Sequence, residues 1–225
     1  MRNFLFLVIF FLSLVTIGQQ TIDNGADPEG KSLLSPYGTT MIIRNTNTSA
    51  NIKGHQYYEE YNGLATVYIN AKRVRKCLVR YNAFNDEIEV TENQKVFNLL
   101  KVNHMEVVLD DYSYKVFDYK GNKHFFIMLN KGRYSLAIKK DKKIKGGRQA
   151  DSGYQTNIPS RYIEINKYFI IDNDTGEIKS LKLKKKEVLN LLHKKEEIQK
   201  MASSKKLNFR KEKDVITILD YYNSI

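Results

Sequence analysis

The amino-acid sequence predicts an α+β protein: an antiparallel β-sheet, curved towards a barrel or a sandwich, followed by a C-terminal helical segment. Three observations predict it. From Gly63 to Lys140, short runs rich in Val, Ile, Tyr and Phe follow one another closely. The links between them hold only a few residues, whereas a parallel crossover needs about a dozen or more, so neighbouring strands pair antiparallel. Beyond Leu183 the apolar spacing changes from two to three or four, the period of a helix.

The predicted strands are Ala65–Asn70, Val74–Tyr81, Glu87–Thr91, Lys95–Leu100, Glu106–Asp110, Ser113–Tyr119, His124–Asn130 and Tyr134–Lys139. Several alternate cleanly. Ile88 and Val90 share one face and Glu87 and Glu89 the other, while Val67 and Ile69, and Tyr134, Leu136 and Ile138, also fall on common faces. Turn formers separate the runs: Asn85-Asp86, Asn93, Gly121-Asn122 and Lys131-Gly132. Residues 141–160 read as a mobile loop, basic with Gly146-Gly147 from Asp141 to Arg148 and polar from Gln149 to Ser160. A hairpin follows, Arg161–Asp172 and Glu177–Leu183, turning through Asn173-Asp174-Thr175-Gly176. Val188, Leu191 and Leu192, then Ile198 and Met201, then Val215, Ile218, Leu219 and Tyr222 give helical stripes, with Leu207 and Phe209 docking the connection. The predicted organisation is residues 1–18 a signal peptide, 19–51 a polar leader or linker, 52–183 the β-rich body, and 184–225 helices packed on that body.

The first segment is a secretory signal by pattern. Arg2 is the positive n-region, and Phe4 to Ile17 is apolar except for Ser13 and Thr16. That length suits an h-region and falls short of the roughly 20 apolar residues of a membrane helix. Thr16 and Gly18 are small enough for a cleavage site before Gln19, and the polar Gln19, Gln20 and Thr21 argue against an uncleaved anchor. No Cys follows the h-region, so no lipid anchor of the lipobox kind is predicted. After cleavage no second apolar span remains, which predicts a periplasmic or secreted protein without a transmembrane span. In residues 19–51 only Met41-Ile42-Ile43 reads as a strand, and Asn47-Thr48-Ser49 matches a glycosylation acceptor that is frequent by chance.

Composition narrows the function classes. The chain of 225 residues carries a formal charge of +12, of which only Arg2 leaves with residues 1–18. Such a balance favours anionic partners, and export makes these lipid headgroups, anionic glycans or acidic proteins rather than nucleic acid. Cys77 is the only cysteine, so no intramolecular disulfide forms, and within Arg75-Lys76-Cys77-Leu78-Val79 it reads as a small buried hydrophobe.

Catalytic and metal chemistry find no motif. Asp172 to Glu177 resembles a calcium loop in composition, but an EF-hand wants Gly sixth and Glu twelfth, where this sequence has Gly176 fifth and Leu183 twelfth. The pairs Asp86-Glu87 and Asp110-Asp111 are adjacent, so strand geometry points them apart and they read as turn and edge residues. His55, His104, His124 and His193 show no ligand-like spacing. No nucleophile elbow and no Gly-rich phosphate loop is present. No catalytic, cofactor-binding or metal residue is therefore predicted, and no cofactor. The unusual feature is lysine clustering. One cluster is Lys139, Lys140, Lys142, Lys143, Lys145 and Arg148, and the other is Lys179, Lys182, Lys184, Lys185, Lys186, Lys194 and Lys195. Of these, Lys139, Lys140, Lys142, Lys143, Lys184, Lys185, Lys186, Lys194 and Lys195 are the candidate contacts to an anionic surface, weighed against a solvated lysine face that only aids solubility.

Two stretches carry a resemblance. Gly54, Tyr57, Glu59-Glu60 and Gly63-Leu64-Ala65-Thr66-Val67-Tyr68 lead to Arg80-Tyr81-Asn82-Ala83-Phe84-Asn85-Asp86-Glu87-Ile88-Glu89, and the tail runs from Lys184-Lys185-Lys186 through Leu191-Leu192 and Lys206-Leu207-Asn208-Phe209 to Tyr221-Tyr222-Asn223. Over residues 52–225 these are similar to a family of uncharacterised exported proteins of Bacteroidota. The family's Asp-Gly turn is replaced here by Asn70-Ala71-Lys72-Arg73. The resemblance implies export and a β-rich body, and no catalytic residue. Charge order further predicts an ion pair between Arg80 and Asp86 or Glu87. The expected function is a non-enzymatic binding or scaffolding module of the envelope, with an anionic envelope surface or another envelope protein as partner. The alternative is a hydrolase of an envelope polymer.

Overall fold

The computed structural model describes residues 32–34, 40–43, 52–92, 95–148 and 156–225. The predicted signal peptide, the predicted Asn47 acceptor and most of the predicted leader lie outside the described residues. The strands in chain order are β1 (Ser32–Leu34), β2 (Thr40–Ile43), β3 (Gly63–Ile69), β4 (Lys72–Asn82), β5 (Glu87–Glu92), β6 (Lys95–Leu99), β7 (Met105–Val108), β8 (Ser113–Tyr119), β9 (Asn122–Met128), β10 (Tyr134–Lys145), β11 (Arg161–Asp172) and β12 (Ile178–Leu181). Three helices follow: α1 (Lys185–Leu191), α2 (Lys195–Ser204) and α3 (Glu212–Ser224). The fold is the expected α+β one, an antiparallel sheet curled into a half-barrel with helices at the C-terminus.

The sheet has the order β1-β2-β6-β5-β4-β3-β7-β8-β9-β10-β11-β12. It is two meanders sharing a seam. β3 to β6 lead outward on one side, and the chain then returns to the free edge of β3 and lays down β7 to β12 on the other. The return spans four strand intervals, about 19 Å on a flat sheet, with only residues 100–104 as link. Six Cα steps reach about 22 Å at most, so curling the sheet relieves a nearly taut connection. Val102 of this link packs against the main core cluster.

Alternation explains the core. Ala65, Val67, Cys77, Val79, Tyr81, Ile88, Val90, Phe97, Leu99, Met105, Val107, Tyr114, Phe125, Ile127 and Ile138 cluster together, buried. On β9, β10 and β11 the opposite parity is apolar as well: Phe126, Met128, Ala137, Phe169 and Ile171 form a second cluster with Phe117, Tyr119 and Ile178. The helices bury Val188, Leu192, Ile198, Val215, Ile218 and Leu219 against Leu136, Ile170 and Leu181 of β10 to β12. Asn223 of α3 pins the neighbouring turn: Tyr134 N donates to its Oδ1, and its Nδ2 donates to Tyr134 O, both at 2.9 Å.

The curl brings the two meanders back into contact. Lys142 N of β10 donates to Ala83 O, just past β4, at 2.9 Å. Residues 52–58 bridge the same gap. Tyr58 N donates to Tyr81 O at 3.0 Å, Tyr162 N to Lys53 O at 3.0 Å, and Lys53 stands beside Arg161 in a parallel bridge.

Two local readings are corrected, and one turn is specified. Residues 141–145 are not loop: they continue β10 and pair with Arg161 to Ile165. Gly147 is held there by close approach rather than freed by flexibility, because a Cβ would stand 2.3 Å from Ile158 O. Arg80 meets neither Asp86 nor Glu87; the register of β4 with β5 sets it opposite Glu89, and its ion pair is with Glu89 at 3.4 Å. The turn after β3 keeps positive φ at both Asn70 and Ala71, 50° and 59°, the sign a type I′ turn needs, although neither residue is glycine.

Candidate functional site

The densest chemistry lies where the curl closes. β10 pairs with β9 only at Ala137↔Met128 and Ile138↔Ile127, then departs along β11. Phe125 N on β9 is thereby left without a strand partner on that side. Asp86, at the end of the β4–β5 turn and with φ of 56°, fills the gap. Its Oδ1 accepts from Phe125 N at 3.2 Å and from the Tyr81 hydroxyl at 2.8 Å. Its Oδ2 accepts from Lys101 Nζ at 2.9 Å and lies 2.8 Å from His124 Nδ1. Lys139 Nζ stands 3.9 Å from Oδ2 and is bonded to Asp141, which Lys167 also reaches at 3.0 Å. Burial alone would raise the Asp141 pKa, but the bonds from Lys139 and Lys167 outweigh it and lower it.

A ladder of tyrosines continues inward. Tyr81 and Tyr114 lie 5.1 Å apart centroid to centroid, and Tyr114 and Tyr112 5.4 Å. Burial raises the Tyr81 hydroxyl well above its ordinary value, and the Asp86 charge adds to this. Tyr114 is raised for the same first reason, with Tyr112 next. Tyr112 is pushed up to about 12, by burial first.

On the outer face, Glu89 is 4 % exposed. Asn82 Nδ2 donates to its Oε1 at 3.1 Å and Arg80 reaches its Oε2, while the Arg80 guanidinium lies over the Tyr57 ring at 3.4 Å. The expected face assignment of Glu89 holds, and this face is covered.

The candidate lysines divide sharply. Lys139 is 8 % exposed and faces the Asp86 network, not solvent. Lys140 is half-buried, bonded to Glu164 at 3.1 Å and placed over the Tyr58 ring. Lys142 donates to His55 O at 2.9 Å, and burial lowers its pKa against the opposing pull of Glu164. Lys143 is exposed on the extension of β10. Lys184, Lys185 and Lys186 are exposed at the entry to α1, and Lys194 and Lys195 at the entry to α2. Lys194 reaches Ile225 O and Lys195 reaches Asn190. The two clusters therefore do not merge into one described site.

The far end of β10 and β11 forms an arm that carries the rest of the first basic cluster, Lys145 and Arg148, and adds Lys53 and Arg161 to it. Lys145 lies directly opposite Arg161, and Lys53 is bridged to the same Arg161. Arg148 follows, paired with Ile158. Among the described residues no ion pair is formed by Lys53, Lys143, Lys145, Arg148 or Arg161. Exposed apolar side chains stand among these cations: Phe84, Ile144 and Ile158 are 42 %, 41 % and 49 % exposed. Phe84 packs edge-on to Tyr162 at 5.6 Å.

The remaining candidates find ordinary places. Asp172 accepts from Arg133 at 3.2 Å and from Asp174 N at 3.0 Å, within a tight turn. Cys77 is buried, and burial raises its thiol pKa. Asp110 and Asp111 are exposed between β7 and β8. Among the described residues no three His, Cys, Asp or Glu side chains are placed to hold a metal ion, and no helix is long and apolar enough to cross a membrane. Compared with family models, with curated proteins and with solved structures, the chain matches none.

Proposed function

We propose that this protein is exported through its N-terminal signal and acts in the periplasm or outside the cell as a non-enzymatic binding or scaffolding module. Its binding surface is the arm at the far end of β10 and β11. The observation that carries this reading is Lys145 directly opposite Arg161, with Lys53 alongside and no described acid to neutralise them. Like charges opposite one another in an antiparallel pair are destabilising, so an external anion relieves the arm where the fold does not. The Asp86 network supports the same reading from the other direction, because its carboxylate is held by four protein groups and braces the curl.

The test is retention of the chain from Gln19 on an immobilised polyanion such as heparin. Retention at low salt that weakens as salt rises supports the proposal, and Arg161→Glu lowers the eluting salt concentration. Flow-through at low salt refutes it. Export is tested separately: N-terminal sequencing of protein recovered outside the cytoplasm should read from Gln19 or within one residue of it.

One observation favours the hydrolase alternative. An imidazole whose Nδ1 lies 2.8 Å from a carboxylate is held in the orientation of a general base. Release of soluble fragments from purified envelope polymer by the wild type, abolished in His124→Ala, would establish it in place of the binding reading.

A further inference from the structure

We infer that the partner of the arm is an anionic lipid bilayer surface, with the cations at the level of the headgroup phosphates and Phe84, Ile144 and Ile158 at the acyl boundary. This rests on the reading above that the arm is the binding surface. A soluble polyanion would need only the charge. What the charge alone leaves unexplained is that the cations carry apolar neighbours that the fold leaves open. Ile144 is flanked in sequence by Lys143 and Lys145, and Ile158 is bridged to Arg148. Phe84 projects from the β4–β5 turn onto Tyr162, which is the register partner of Ile144.

The geometry suits an interface. Side chains alternate along β10, so Lys143 and Lys145 share one face with Arg161, while Ile144 and Tyr162 share the other. The end of the arm therefore presents apolar groups edged by cations, the combination that partitions into the headgroup region. Lysine stems are long enough to keep their ammonium groups at the phosphates while the strand end lies lower. The arm is also anchored to the body. Lys142 N reaches Ala83 O, and Gly147 is packed against the Ile158–Ser160 backbone, so ordering it on a surface costs little further entropy.

The experiment is co-sedimentation of the chain from Gln19 with vesicles of phosphatidylglycerol and phosphatidylcholine, with pure phosphatidylcholine vesicles and soluble heparin as further arms. The expected result is binding to the anionic vesicles at low salt and none to the neutral ones. Each positive charge removed should weaken partitioning about fivefold, so Lys145→Glu, a change of two charges, weakens it roughly 25-fold. The same substitution creates a Glu–Arg cross-strand pair, so its thermal midpoint should hold or rise, and a loss of binding is then not a loss of fold. Ile144→Ser with Ile158→Ser should weaken binding to vesicles and leave heparin retention unchanged. No sedimentation with anionic vesicles, while heparin still retains the protein through the arm, overturns the lipid assignment and leaves the binding module standing. Vesicle binding unchanged in Lys145→Glu, or unchanged in the double serine variant, also overturns it. Loss of both vesicle and heparin binding in the wild type removes the function proposed for the arm itself.

Discussion

Asp86, at the closure of the sheet between β4 and β10, and Lys145, on the extension of β10 beyond it, treat charge in opposite ways. Around Asp86 each oxygen has two partners, and nearby Lys139 is drawn in to bridge to Asp141. Around Lys145 positive charges stand side by side with no described acid between them. The first arrangement is what folding requires of buried charge, since an unpaired one costs several kcal/mol. The second is tolerated because exposed charges are screened and the repulsion costs only a fraction of a kcal/mol to about 1. The contrast separates charge that the fold pairs from charge that the described fold leaves unpaired.

The sharpest way to break that contrast is Asp86→Ala. It leaves Phe125 N, the Lys101 ammonium and the His124 ring nitrogen without their partner inside the closure, and leaves the Tyr81 hydroxyl only its longer bond to Lys140 O at 3.3 Å. We expect a loss of about 3–5 kcal/mol in chemical denaturation, as for one partner removed from a buried charged network. A loss under about 1 kcal/mol would mean that Asp86 does not brace the closure.

High pH probes the same region. Tyr81 and Tyr114 have folded pKa values raised by burial, above the unfolded value of about 10. Their contribution is fully present below that unfolded value and is lost as pH rises towards the folded one, because only the unfolded chain gives up these protons. Each removes roughly 1.4 kcal/mol per pH unit above 10, so the pair costs about 3 kcal/mol by pH 11. Tyrosinate absorbance at 295 nm should show these two ionising together with unfolding. Smooth titration of every tyrosine in the native state contradicts their burial.

Low pH probes the edge of the network. Asp141 has a lowered folded pKa, so its contribution is present above the unfolded value and lost as pH falls through the folded one. Asp141→Asn should reduce the steepness of acid destabilisation below pH ~4 in thermal scans, by less than the alkaline effect. An unchanged acid profile would show that Lys139 and Lys167 do not hold it as drawn. The smallest effect belongs to the arm. Lys145→Glu replaces repulsion by attraction and should stabilise by about 0.2–1 kcal/mol in the same denaturation assay. Destabilisation of the same size would mean that the arm's cations already have partners in the fold.

Much of the fold was legible from the residues. Ser113–Tyr119 and Arg161–Asp172 were read to the residue, because Val, Ile, Tyr and Phe runs ended by turn formers are local signals. The extension of β10 was not, since Lys140 to Lys145 has the composition of a loop and becomes strand only because β11 lies beside it. The candidate site was less legible. Asp86 read as a turn acid, and nothing in its neighbours in sequence announced that it would meet Lys101 and His124, 15 and 38 positions away. Arg80 had a carboxylate partner as expected, but pairing register chose Glu89.

Consecutive residues alone set most of the strands from Gly63 to Leu183, the helical tail and the face each residue takes within them, because strand and helix periodicity depend on no distant contact; β1 and the end of β10 carry no such local signal. The sequence by itself also determined the excess of positive charge. Only the tertiary structure decided which charges are consumed and which remain. That choice follows from curl and register, which bring Asp86 between β9 and β10 and set Lys145 against Arg161. Both are properties of strands packed together, where a shift of one position exchanges every pair.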